Sequence, residues 1–551
     1  MRIFRFVRLT IGLIFIMMIL SSCSLFSNNV TSTEPANQDP QESDIISNPA
    51  LSRSGALVVA IDQLDGTFNP MFSDSTVENW IEDLVFDGLF VFDSNGELSN
   101  ALGDSFDISD DGLSYTVTLK EDLYFHDGSK VQVSDVIFTY ETILNPEYQG
   151  EYKDAIDGLM NVSILDDYNV VFSFETDSRE NLQALVVPIL SENYYKFTVW
   201  NVFKDGYKPP MGTGPFVFDT YNNDENLVLI KNTKYWTQNA KISGVVIKEM
   251  DDATATQAFV DGTIDLYKLP NSKSRVNEIK ELGYSNVITQ KTNVYTFIGM
   301  NLNLPVLSEL NIRKALIYAL DREKFTNEEW SGFADTIQFL ATSIEEYSVD
   351  NSSLEKYTHN LEKAKELLDI IGFRDDDGDG IREKNGEKLT FTWKVFSDVD
   401  WSYNLAQYAR EQWKILGIDV RLEYLDYTEM IQLLESGQIP DMWNLAWEMG
   451  YNTSPVVLFG SDESRATYNY SNYSSEEANQ LFEVLEQSKS SFEKEAILKE
   501  WHLIQNNDLP YIPIARLKTV WAYNSRIKNL TINDYALWTD NVTSIEIDIL
   551  Q

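Results

Sequence analysis

Asp375, Asp377 and Asp379 alternate through Arg374-Asp-Asp-Asp-Gly-Asp-Gly-Ile-Arg-Glu383, with Gly380 next. Carboxylates at loop positions one, three and five with glycine at six are how an EF-hand-like calcium loop begins. Glu383 falls at position nine, but position twelve is Gly386, and Glu387 arrives one residue late. A helical pattern precedes the loop and a strand pattern follows, whereas an EF-hand loop sits between two helices. The preferred reading is therefore a solvent-exposed Asp/Gly connection and no cofactor, with Ca2+ at Asp375, Asp377 and Asp379 as the alternative.

Other reactive constellations are missing from the sequence. The three histidines, His126, His359 and His502, are far apart. There is no Gly-x-Ser-x-Gly elbow, no His-Glu-x-x-His pair and no phosphate-cradling glycine loop. With 86 acidic residues a glycosidase-like carboxylate pair can always be nominated, so carboxylates alone carry no weight. His126, in Phe125-His-Asp-Gly128, reads as a turn residue. The chain reads as a non-enzyme.

The one cysteine, Cys23, follows a basic head (Arg2, Arg5, Arg8), an apolar run from Ile11 to Leu20, and two serines. That is the layout of an export signal. About ten apolar residues at 1.5 Å each cannot cross roughly 30 Å of hydrocarbon. Leu20-Ser-Ser-Cys23 resembles the lipobox of bacterial lipoproteins, which implies cleavage after residue 22 and lipidation of Cys23. The protein is then expected on the outer face of the bacterial cytoplasmic membrane, extracellular or periplasmic, held by a lipid anchor. No disulfide is possible, so stability must come from a core. The formal charge of −43 disfavours a nucleic-acid partner.

Residues 23–53 are rich in Ser, Asn, Pro and Asp and read as a flexible tether. Ala56–Ile61 is a β-type run. Ser75-Thr-Val-Glu78 offers a capping box for a helix carrying Val77, Trp80, Ile81, Leu84 and Val85. Strand patterns follow at residues 115–121, 170–174, 216–221, 227–231 and 245–250. Beyond residue 300, helices are expected around Ile312–Leu320 and Leu361–Ile371. Strands at 389–396, 420–425 and 442–447 then alternate with helices at 402–416 and 428–436, which argues a parallel sheet. Ligands sit outside the carboxyl ends of such strands, and Trp447 with the loop Glu448-Met-Gly-Tyr-Asn452 falls there.

The stretch Leu123-Tyr-Phe-His-Asp-Gly-Ser-Lys-Val-Gln-Val-Ser-Asp-Val-Ile-Phe-Thr-Tyr140 resembles the signature of the family 5 extracellular solute-binding proteins. Phe68-Asn-Pro70, Gly212-Thr-Gly-Pro215, Asn232-Thr-Lys-Tyr-Trp236, Gly262-Thr-Ile-Asp265, Asn311-Ile-Arg-Lys-Ala-Leu316 and Ala319-Leu-Asp-Arg322 follow in the family's order. The resemblance implies an α/β, two-lobed periplasmic-binding-protein-like fold (type II, cluster C) with an inserted β-rich subdomain. Lobe I would comprise residues 54–74, 200–294 and 512–551, with 75–199 inserted, and lobe II 295–511. The crossings near Tyr295–Asn303 and Ile512–Tyr523 would form a hinge.

It also implies a monomeric component of an ABC importer that captures oligopeptides between the lobes and serves a permease and its ATPase subunits. In peptide-binding members an aspartate in a W-x-x-D-Y-like loop pairs with the ligand's ammonium. The matching stretch here is Trp447-Glu-Met-Gly-Tyr451, with Gly450 at the aspartate position. Either Glu448 substitutes for it, or the ligand lacks a free amine. The ligand-contacting residues expected on this resemblance are Trp447, Glu448, Tyr451, Asn452, Tyr295, Phe68, Asn69 and Trp401. The alternatives are an oligosaccharide, stacked on Trp447, Tyr451 and Trp401, another non-peptide solute, or a peptide-sensing receptor. Three histidines disfavour a nickel carrier.

Overall fold

A computed structural model describes residues 48–550, apart from 65, 67, 73–74, 93–97, 151, 178, 199–207, 223–225, 344–345, 347–348, 397–398, 451–452, 463–465, 489–490 and 534–536. Cys23, Tyr451 and Asn452 therefore lie outside the described residues. Among the described residues no helix is long and apolar enough to cross a membrane.

Eleven strands form one sheet. They are β1 (Leu57–Ile61), β2 (Phe216–Asn222), β3 (Asn226–Lys231), β4 (Gly244–Glu249), β5 (Leu266–Leu269), β6 (Ser285–Met300), β7 (Ala334–Thr336), β8 (Thr390–Phe396), β9 (Asp419–Leu425), β10 (Met442–Glu448) and β11 (Tyr511–Asn524). The order is β9-β8-β10-β6-β11-β5-β1-β4-β3-β2, with β7 also on β11. The helices that matter below are α1 (Thr76–Val85), α2 (Leu310–Ala319), α3 (Leu361–Ile370), α4 (Asp400–Lys414), α5 (Tyr427–Glu435) and α6 (Ser491–Asp508).

Two sets of parallel strands occupy the two halves of the sheet. In one, β1 pairs in parallel with β4 and β5. In the other, β8 pairs in parallel with β9 and β10. The alternation after residue 389 had predicted the second set. The central strand β10 is buried from Met442 to Leu445, whereas the edge strand β9 exposes Arg421, Glu423 and Tyr424. Leu57, Val59 and Ile61 enter one apolar core while Val58 and Ala60 enter another. Trp393 and Val395 of β8 likewise pack on one face, and Trp443 and Leu445 of β10 on the other.

Joining the halves are β6 and β11, 16 and 14 residues long, antiparallel to each other. The segments expected as crossings belong to these strands. Their ladder slips between Lys291 and Tyr295: Lys291 faces Lys518, and Tyr295 faces Arg516. Side chains stitch the gap. The Thr292 hydroxyl donates to the Leu517 carbonyl (3.0 Å), and Arg516 Nε donates to the Thr292 carbonyl (2.7 Å). The cores change here as well, with Val287 and Val520 on one side of the slip and Ile298 and Ile512 on the other.

The expected inserted segment carries an antiparallel sheet of Gly103–Ile108, Ser114–Leu119, Asn169–Phe174 and Leu159–Ile164. Tyr115, Val117 and Leu119 are buried as their alternation predicted, and they share one core with β1. One local expectation fails. Ser75 is the N-cap of α1 but makes no side-chain cap bond, and Glu78 is buried.

Candidate functional site

Strand directions locate the site. β6 runs from the first half of the sheet to the second. β5 runs parallel to it, since both are antiparallel to β11, so the carboxyl ends of β1, β4 and β5 point toward the second half. β10 is antiparallel to β6, so the carboxyl ends of β8, β9 and β10 point back toward the first half. Leu269, ending β5, lies opposite Val520, which also faces Thr289, while Glu448, ending β10, lies opposite Val294. Five residues of β6 separate these levels, roughly 15 Å at strand rise. Both parallel sets thus open onto the same stretch of the crossing strands, and such openings are where α/β sheets hold ligands.

β10 supplies two faces to this opening, because side chains alternate along a strand. Trp443, Leu445 and Trp447 share one face with Tyr295 and Phe297 of β6. Asn444, Ala446 and Glu448 share the other. On that face Asn444 donates to Ser402 Oγ of α4 (2.7 Å) and accepts from Trp393 Nε1 (3.0 Å).

Trp447 is half-buried, edge-on to Tyr468 (5.1 Å between ring centres), and its indole N–H is buried without an acceptor. Glu448 is exposed. Tyr295, directly opposite Trp447 on β6, is fully buried. Trp401 begins α4, half-buried near Trp330, on the Glu448 face. Phe68 and Asn69 follow β1 in the other half. Phe68 is only 4% exposed and packs edge-on against Tyr221, while Asn69 Oδ1 accepts the Met71 N–H (3.1 Å). Trp447 and Tyr295 are brought together, and Phe68 has its ring in the core.

Gly450 is exposed, and a Cβ there would lie 2.2 Å from Thr453 Oγ1, so a side chain at 450 requires that hydroxyl to rotate away. Met449 N donates to the Asn293 carbonyl (2.9 Å), and Gly450 bridges Ser343. Thr342 steadies the far end, its hydroxyl 2.9 Å from the Thr453 carbonyl and 2.6 Å from Glu346 Oε1. Glu346 is buried against His502 of α6 (3.4 Å), which stacks on Phe339.

Tyr468 and Tyr470 escaped the sequence reading, although Thr467-Tyr-Asn-Tyr470 is an aromatic run in a loop. They help line an open cavity of about 800 Å³ with Asn301, Glu435, Gln438 and Asn472, adjoining Trp447 through Tyr468. Burial, with the Glu435 carboxylate nearby, pushes the Tyr470 hydroxyl up to about 12, so it is a neutral donor. His126 joins two sequence motifs. Its N–H donates to the Gly212 carbonyl (2.9 Å), Nε2 lies 3.0 Å from the Gly214 carbonyl, and Nδ1 lies 3.4 Å from Gly212 N. Burial lowers its pKa, consistent with a neutral ring.

At the acidic loop, oxygens of Asp375, Asp377 and Glu383 lie within 4.8 Å of one another. Asp379 is not among them, and Lys388 pairs with both Asp379 and Asp377. The third member is the glutamate at position nine.

The chain resembles known proteins along nearly its whole length. It is 25% identical over 508 residues to the oligopeptide-binding protein AppA of Bacillus subtilis, covering 89% of this chain and 90% of that protein. The structure of AppA from Bacillus subtilis in complex with a nonapeptide superposes with a TM-score of 0.68 at 23% identity, covering 90% of this chain and 99% of that one. NikZ from Campylobacter jejuni in complex with Ni(L-His) gives 0.68 at 22% identity, covering 90% and 100%. These likenesses show the type II periplasmic-binding-protein fold. Residues 97–469 match the model of the bacterial extracellular solute-binding proteins, family 5 Middle, and the chain therefore belongs to that family.

Proposed function

We propose that this protein captures oligopeptides for an ABC importer. It would hold them between the facing carboxyl ends of β1, β4 and β5 and of β8, β9 and β10, and pass them to a permease with its ATPase subunits. Family 5 members are transport binding proteins, not enzymes. The observation that carries the reading is the convergence of two parallel-strand openings on one stretch of β6 and β11. Residues 54–74, 200–294 and 512–551, with 75–199 inserted, act as lobe I and 295–511 as lobe II, bending at the ladder slip. A lipid on Cys23 holds the monomer at the outer face of the membrane.

Within the cleft, Trp447 gives a ring face and an unpaired indole donor, and exposed Glu448 receives the ligand's ammonium. Glycine at 450, where peptide-binding members carry the aspartate, favours a second reading in which the solute is neutral and stacks on Trp447 and Tyr468. Mass spectrometry of molecules released by denaturing the purified protein separates the two: short peptides with free amino termini support the first, and their absence with sugars present supports the second. Cys23→Ala should move the protein from membranes to the medium, and a membrane-bound variant would contradict the anchor.

A further inference from the structure

We propose that Asp375, Asp377 and Glu383 bind a calcium ion that fastens the connection between α3 and β8. The loop is already wrapped around its carboxylates. Asp375 accepts N–H groups from Gly378 (2.8 Å) and Gly380 (3.0 Å), Asp377 accepts from Asp379 (3.1 Å), and Glu383 Oε1 accepts from Asp376 (2.8 Å) and Asp377 (3.1 Å). Gly378 and Gly380 take the left-handed backbone (φ 78° and 89°) that such tight wrapping needs.

The second, independent observation is Glu383 itself. Its residue is 7% exposed, and its Oε2 is buried with no hydrogen-bond partner. A buried carboxylate oxygen without a partner is unfavourable, and a cation removes that penalty. Lys388 does not satisfy that oxygen: its ammonium lies 3.0 Å from Asp377 Oδ2 and is also paired with Asp379. Oxygens of the three ligating carboxylates lie within 4.8 Å of one another, close enough for small side-chain shifts to bring all three onto one calcium ion at about 2.4 Å. Water and loop carbonyls complete the six to eight oxygens that calcium accepts, whereas magnesium demands a tighter octahedron.

Glu387, the late glutamate of the sequence pattern, is not among the three. Asn385 and Gly386 turn the chain into the hairpin Glu383–Lys384/Glu387–Lys388, where Glu387 faces Lys384. The hairpin leads into β8, and Arg382 fixes it to the Leu416 carbonyl (2.8 Å) and the Phe373 carbonyl (2.6 Å). A metal here would brace the entry to the parallel strands in a chain whose single cysteine allows no internal disulfide. The affinity needed rests on the proposed location outside the cell, where calcium modules work at about 10⁻⁴–10⁻³ M.

The test is thermal unfolding of the purified protein in EDTA and in about 5 mM calcium chloride, which needs no transported solute and so stands apart from the peptide reading. Calcium should raise the wild-type Tm by roughly 2–5 °C. Glu383→Gln, which keeps the Oε1 acceptor, should keep the wild-type Tm in EDTA and lose the shift. Lys388→Gln, freed of the competing ammonium, should bind calcium several-fold more tightly by calorimetry. No shift in the wild type, an equal shift with magnesium, a shift retained in Glu383→Gln, or no tightening in Lys388→Gln would overturn the assignment.

Discussion

Trp447 and Glu448 are consecutive on β10 and face opposite sides of the sheet, the indole beside Tyr468 and Tyr295 and the carboxylate toward the α4 side. Two groups so divided touch different parts of a ligand. Trp447→Ala and Glu448→Gln should each weaken peptide binding, and their effects should add to within about 0.5 kcal/mol. Because Glu448 is exposed, its own effect grows only as the ligand desolvates it. Calorimetry on the two single variants and the double measures this, and strong coupling would show that both act on one ligand group.

The Thr292–Arg516 stitch spans the ladder slip. Thr292→Val removes the bond to Leu517 and the acceptor for the Val294 N–H (3.1 Å), so urea denaturation should show a loss of about 1–2 kcal/mol. If the lobes bend here, small-angle scattering should also report a wider spread of lobe separations. Lost stability with an unchanged scattering profile would place the bend elsewhere.

Asp265 and Arg526 form a bidentate pair, both wholly buried, at 2.6 and 2.9 Å. Arg526 also binds the carbonyls of Ala50, Ser54 and Ala56, which ties the start of the fold to its end. Asp265→Asn leaves that guanidinium undercompensated and should lower stability by roughly 3–5 kcal/mol in urea. A loss under about 1 kcal/mol would show that the backbone carbonyls alone hold the guanidinium.

Burial lowers the His126 pKa, so the folded state resists a proton that the unfolded chain accepts. The stabilisation from this difference is complete above about pH 6.5 and drains away as pH falls through that value toward the lower folded pKa. His126→Gln keeps a donor but cannot titrate. Its Tm should fall less than that of the wild type between pH 7.5 and 5.5, and equal falls would assign the acid sensitivity to other groups.

Much of this was legible in the sequence because periodicity reports burial. The residues of 389–447 alternate between strand and helix as written, and the parallel set follows. The long strands β6 and β11 were not legible as partners, since antiparallel pairing over 220 residues of separation leaves no local mark. Nor was Gly299, where a Cβ would lie 2.1 Å from the Trp443 ring and only glycine lets that indole cross β6. At the acidic loop the spacing picked out the aspartates, but the burial of Glu383 and the hairpin that brings Lys388 to Asp377 and Asp379 left no mark in the pattern. At the cleft, Trp447 was placed by its strand end, whereas the opposed faces of Trp447 and Glu448 emerge only once β10 is seen flanked by core on both sides.

Hydrogen–deuterium exchange on addition of a mixture of short peptides tests the central claim most directly. Solute held between the facing strand ends should slow exchange at once in residues 62–72, after β1, and in residues 446–450, at the end of β10. Protection confined to one of these stretches, or to the loop around Tyr468 and Tyr470 alone, would contradict capture between the two halves.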